Sequence, residues 1–119
     1  MKVQTNKLEA ITIIDVDGEL LNDLATISET VKAAEEGHKN IILDLTKVLS
    51  FGDLELELLE EVAEFLDLSE KSFVICGLKN ELQLALYKKF EEDFFNIVPT
   101  RNEAVDMVYM EEQERSFLN

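Results

Sequence analysis

The chain has 119 residues, 11 of them basic and 26 acidic, which leaves a formal charge of −15 at neutral pH. That length fits one domain with one core, and so acidic a surface repels nucleic-acid phosphates and anionic lipid headgroups. A single cysteine and a single histidine leave no intramolecular disulfide and no zinc set.

No apolar run approaches the roughly 20 residues of a membrane helix, and Met1-Lys2-Val3-Gln4 does not open a signal peptide. The expected location is therefore cytoplasmic. Repeats, linkers and low-complexity tracts are missing, so residues 1–110 are expected to pack as one unit. Residues 111–119 read as a charged C-terminal tail that either frays or docks through Phe117-Leu118.

In chain order, Lys2 to Lys7 is polar and alternating, as a short edge strand would be. Ala10 to Val16 is rich in β-branched residues and predicts a second strand, ended by the turn residues Asp17-Gly18. Leu20 or Leu21, Leu24, Ile27, Val31 and Ala34 then recur at steps of three and four. Their spacing predicts a helix that starts near Asn22 and Asp23 and ends at Gly37.

Ile41-Ile42-Leu43-Asp44-Leu45 is almost continuously apolar, the pattern of a strand covered on both faces. A second helix is predicted from about Leu54 to Leu68, with Leu58, Leu59, Val62, Phe65 and Leu66 as its buried stripe. Ser72 to Leu78 is the next strand. Asn80 and Gln83 stand at capping-box spacing before a third helix through Leu82, Leu86 and Phe90. After a short strand at Phe95 to Val98, Thr100 and Glu103 form a second such pair, opening a last helix through Ala104, Val105 and Val108.

The order β-β-α-β-α-β-α-β-α implies parallel crossovers. The expected fold class is α/β: a single small domain with a mixed, mostly parallel sheet and about four helices.

Residues that carry enzyme chemistry are sparse. His38 follows a helix-ending glycine, where a turn histidine is ordinary. Cys76 lies mid-strand, where thiols behave as small hydrophobes. The four glycines are scattered and form no phosphate-binding loop. Asp15, Asp17 and Glu19 hint at a calcium loop, but Gly18 is misplaced and Thr26 stands where the twelfth-position glutamate belongs. No catalytic residue, cofactor site or metal site is assigned.

The stretch Val48 to Leu56 is more informative. It joins a buried strand to a helix, at the carboxyl ends of the strands, where open α/β sheets present their binding surfaces. Asp53 is the expected N-cap, and Glu55 falls in the first turn, where a carboxylate suits the helix dipole.

The ordered patterns Val16-Asp17-Gly18-Glu19-Leu20, Ile41 to Leu45, Ser50-Phe51-Gly52-Asp53, Phe73 to Gly77 and Asn102 to Val105 resemble the STAS domain family. That family is named for sulfate transporters and anti-sigma factor antagonists, and the likeness runs from about Lys2 to Tyr109. The resemblance implies a domain that acts by partner switching. A serine kinase, itself an anti-sigma factor, phosphorylates the second hydroxyl of an Asp-Ser-Ser/Thr-Gly stretch.

This chain keeps the aspartate as Asp53 and departs at Leu54, Glu55 and Leu56, placing Glu55 at the phosphoacceptor position. Glu55 carries one charge and two acceptor oxygens, against a charge of about −1.5 to −2 and three oxygens on phosphoserine. It is either a permanent, partial imitation of the phosphorylated state or a plain helix-start residue in a domain without switching.

The expected function is a non-catalytic protein-binding regulatory module, not switched by phosphorylation at the usual site. The expected partner surface is the edge made by Ser50, Asp53, Leu54, Glu55, Leu56 and Leu59. Leu54 and Leu56 are its exposed apolar anchors, unless Leu54 packs beneath the preceding loop. Ser50, the one hydroxyl of the loop, is expected to turn inward. By resemblance the partner is an anti-sigma factor or a serine-kinase-like ATPase. The alternative is a structural subunit of a stress-sensing or lipid-transport assembly. Nucleotide binding, a third reading, conflicts with the charge and the glycine pattern, and neither nucleic acid nor membrane insertion is expected.

Overall fold

The computed structural model describes residues 2–8, 10–17, 24–37, 39–50, 52–91 and 94–118. The expected turn at Gly18, the helix start at residues 20–23, His38 and Phe51 lie outside the described residues.

The segments expected as strands form β1 (Lys2–Leu8), β2 (Ile11–Asp17), β3 (Asn40–Lys47), β4 (Phe73–Cys76) and β5 (Asn96–Val98). The periodic segments form the helices α1 (Leu24–Glu36), α2 (Asp53–Leu68), α3 (Asn80–Lys89) and α4 (Arg101–Leu118). One five-stranded sheet has the order β1-β2-β3-β4-β5. The first pair is antiparallel and the remaining pairs are parallel. The two apolar runs expected as parallel inner strands are paired in that sense, with Ile41 opposite Phe73 and Leu43 opposite Ile75.

Each parallel step moves one strand further in the same direction, so right-handed crossovers place α1, α2 and α3 on one face of the sheet. Their buried residues join one core. Ile27 and Val31 of α1, Leu59, Val62 and Leu66 of α2, and Leu82 and Leu86 of α3 cluster with Ile14, Ile41, Leu43 and Ile75. On the opposite face Ile11, Ile13, Ile42, Val74 and Cys76 cluster with Ala104 and Val108 of α4. Alternation along β2, β3 and β4 divides the strand residues between these two cores.

Helix starts differ in detail from the expected ones. α3 begins after Lys79 without a side-chain cap, and the Asn80–Gln83 box does not form. Gln83 Nε2 instead donates to the Tyr87 hydroxyl at 2.9 Å. At α4 the Thr100 hydroxyl accepts the Glu103 N–H at 3.2 Å, as the spacing predicts. The charged tail is no separate strand of chain, because α4 continues through Leu118.

Both ends of α4 are pinned to the sheet. At its start, Arg101 Nε and Nη2 donate to Asp44 Oδ2 at 3.0 and 2.7 Å. Near its end, Arg115 donates to the Ser72 hydroxyl at 3.0 Å and to Asn40 Oδ1 at 3.2 Å.

Candidate protein-binding rim

The loop after β3 is held from several sides. Asp44 Oδ1 accepts from the Thr46 N–H and hydroxyl at 3.0 and 2.6 Å. Arg101 Nη2 reaches both Asp44 and Asp15, the latter at 3.3 Å, and so ties the carboxyl ends of β2 and β3 to the start of α4. Lys79 Nζ donates to the Thr46 and Val48 carbonyls at 2.7 and 3.1 Å, bridging this loop to the one before α3. Gly77 has φ +73°, and a Cβ there would lie 2.0 Å from Thr46 Oγ1. Only glycine fits that close approach.

Burial by itself would raise the Asp44 pKa, but the hydrogen bonds from Thr46 and Arg101 outweigh it and hold the carboxyl below its ordinary value of 3.8. A depressed folded pKa adds stability that is complete above the unfolded value and disappears as pH falls through the folded value. Wild type is therefore expected to exceed Asp44→Asn in stability, by about 1–3 kcal/mol at pH 7. That margin should shrink steadily below about pH 4, as paired urea titrations at pH 7 and pH 3 would read it.

At the start of α2 the N-cap is Gly52, and Asp53 is the first helical residue rather than the cap expected from its chemistry. Glu55 is the third helical residue and reaches back, its Oε2 accepting the Gly52 N–H at 2.9 Å. That bond is half of a capping box; a glycine cap has no side chain to supply the other half. The Glu55 side chain is only 4% exposed. Its carboxylate is thus turned onto the first turn of its own helix, the contact that a helix-start residue makes.

Leu56, expected as an exposed anchor, is 6% exposed and belongs to the main core. Leu59 is wholly buried as well. The buried stripe of α2 runs Leu56, Leu59, Val62, Leu66, in steps of three, three and four. Taking Leu58 and Phe65 as full members tilts the stripe's axis away from Leu56, yet both sit half-buried on its flank. Leu54, far from that axis, stands 64% exposed instead of packing under the loop.

Ser50 is exposed too and does not turn inward. Sequence reasoning overlooked Leu49, which is 65% exposed beside the buried Val48. The signal available was its position, an apolar residue outside every periodic stripe. Leu49 and Leu54 thus flank Gly52 as two apolar points, with Ser50 and the carboxylates of Asp53 and Glu57 exposed among them.

Catalytic features do not gather here. Cys76 is buried in β4, and burial first, then the Asp44 charge, pushes its thiol up to about 12. Among the described residues no three His, Cys, Asp or Glu side chains form a group able to hold a metal ion. No helix among them is long and apolar enough to cross a membrane.

Compared with protein-family models and with curated proteins, the sequence matches none. Solved structures match throughout. An anti-sigma-factor antagonist (STAS) domain protein from Planctomyces limnophilus aligns at a TM-score of 0.78 and 19% identity, covering 90% of this chain and 97% of its own. The chain has the STAS-domain fold.

RsbS from Moorella thermoacetica, in a variant with a serine replaced by glutamate, aligns at 0.82 and 14% identity over 95% of this chain and 99% of its own. The Bacillus cell fate determinant SpoIIAA in its phosphorylated form aligns at 0.71 and 15% identity over 90% and 99%. Identities this low establish the STAS architecture. The rim described above occupies the β3–α2 junction of that architecture.

Proposed function

We propose that this STAS-fold chain is a non-catalytic regulatory module that binds a protein partner through the rim of Leu49, Ser50, Asp53 and Leu54. One observation carries the reading: two leucines about two-thirds exposed, Leu49 on a loop anchored by Lys79 and by the Asp44–Arg101 pair and Leu54 in the first turn of α2, stand on either side of Gly52. Exposed apolar points on a rigid base, ringed by carboxylates, have the anatomy of a binding surface with anchors and a charged rim. The partner class that fits is an anti-sigma factor or serine-kinase-like ATPase presenting apolar pockets among basic residues. Structures of this fold described as anti-sigma factor antagonists support that choice.

The module works without phosphorylation at the α2 start. Position 55 holds a carboxylate with no hydroxyl, and that carboxylate is engaged with the Gly52 N–H. Incubation with a kinase-type partner and ATP, followed by mass spectrometry, should find residues 48–56 unmodified. Stoichiometric phosphate on Ser50 would mean that the acceptor had moved five residues upstream, into the loop, instead of disappearing.

A further inference from the structure

We propose that the outward face of α4 is a second docking surface, separate from the rim, that takes a basic amphipathic helix of a protein partner. Ala104, Val108 and the two arginines mark the face turned to the sheet. At 100° per residue the opposite face is Asp106, Met110, Gln113 and Phe117, with Glu103 and Glu114 on one flank and Tyr109 on the other. Phe117 is 92% exposed and Met110 57%, and Tyr109 is also exposed. Shallow concavities lie beside them, one lined by Tyr109, Gln113 and Phe117 and one by Met110, Gln113, Glu114 and Phe117.

Charge identifies the occupant. Arg101 and Arg115 are the only cations in α4, and both are turned inward onto Asp44, Asp15, Ser72 and Asn40. The outer face therefore presents apolar side chains and the exposed carboxylates of Glu103, Asp106 and Glu114 with no cation of its own helix among them. A second copy of this chain would bring the same carboxylates and a further −15, and an anionic bilayer would repel it likewise. A lysine- or arginine-rich helix with one apolar face meets both features. Met110 and Phe117 are two turns apart, about 10 Å along the axis, the i, i+7 spacing at which helix-in-groove partners place their anchors.

The test uses the full chain labelled for NMR and a synthetic amphipathic helix with leucines on one face and lysines on the other. Backbone shifts should concentrate at Tyr109, Met110, Gln113, Glu114 and Phe117. The double substitution Met110→Ser with Phe117→Ser should weaken binding at least tenfold and leave the melting curve in place. A glutamate-for-lysine version of the same peptide should not bind. Equal binding of both peptides, or shifts centred on Leu54, would overturn the proposal. A dimer in sedimentation that the double substitution dissolves would overturn it as well, by making the occupant a second copy.

Discussion

Replacing Leu56 by aspartate should unfold the protein, whereas the same change at Leu54, two residues earlier, should leave its stability almost untouched. Leu56 shares a core with Val48, Leu59, Val62 and Leu45. An aspartate there is either charged and unpaired or protonated and unsatisfied, and it also discards the apolar burial of the leucine. Together these cost about 4 kcal/mol or more, a large share of the roughly 5–15 kcal/mol that holds an ordinary domain together. Leu54→Asp exchanges an exposed side chain at a helix start where a carboxylate is favourable, so it should fall within about ±0.5 kcal/mol. Urea titrations of both variants against wild type check this pair. A native-like transition for Leu56→Asp would place that side chain on the surface and undo the assigned register of α2.

Asn40→Ala should be nearly as damaging, although no core volume of note is lost. Asn40 is wholly buried at the start of β3. Its Oδ1 accepts the Ser72 N–H at 2.8 Å and Arg115 Nη2 at 3.2 Å. Its Nδ2 donates to the Ala10 carbonyl at 3.1 Å and to Glu112 Oε1 at 2.5 Å. One amide thus uses its full hydrogen-bonding capacity to join the beginnings of β2, β3 and β4 to the end of α4. Truncation leaves several of these groups without partners, at about 1–3 kcal/mol for each that water does not reach. The expected loss is about 3 kcal/mol, accompanied by faster amide hydrogen exchange at Ser72. Arg115→Ala should cost only about 1 kcal/mol, because Asn40 keeps its other partners.

The strands were legible in the sequence because their cause is local. Ile41 to Leu45 and Phe73 to Cys76 are apolar on both faces, and only inner strands of a parallel sheet need that. The capping pair Thr100–Glu103 was half legible for the same reason: one hydroxyl and one N–H three residues apart settle it. Asn40 was not. A polar residue ahead of Ile41 reads as the end of a loop, and it becomes part of β3 through partners 30 to 75 positions away. The Asp44–Arg101 pair, 57 positions apart, was equally hidden.

The junction between a buried strand and a helix was legible along the chain, at β3 and α2, but the register of the helix start was misjudged. Aspartate is a favoured cap, so Asp53 looked like the start of α2. The reach of Glu55 back to Gly52 supplies a cap from the third position and moves the start one residue earlier. Leu56 and Glu55 then turn inward while Leu54 turns out. A wheel drawn through Leu58 and Phe65, which are only flanking residues, places Leu56 on the wrong side.

The most direct test of the rim is the affinity of a captured partner for two baits. Wild-type protein should retain a partner from its native host, and that partner should then be titrated against wild type and Leu54→Asp. The account predicts about thirty-fold weaker binding to Leu54→Asp, the size expected for losing a central anchor, with an unchanged melting curve. Equal affinity for the two proteins would contradict it.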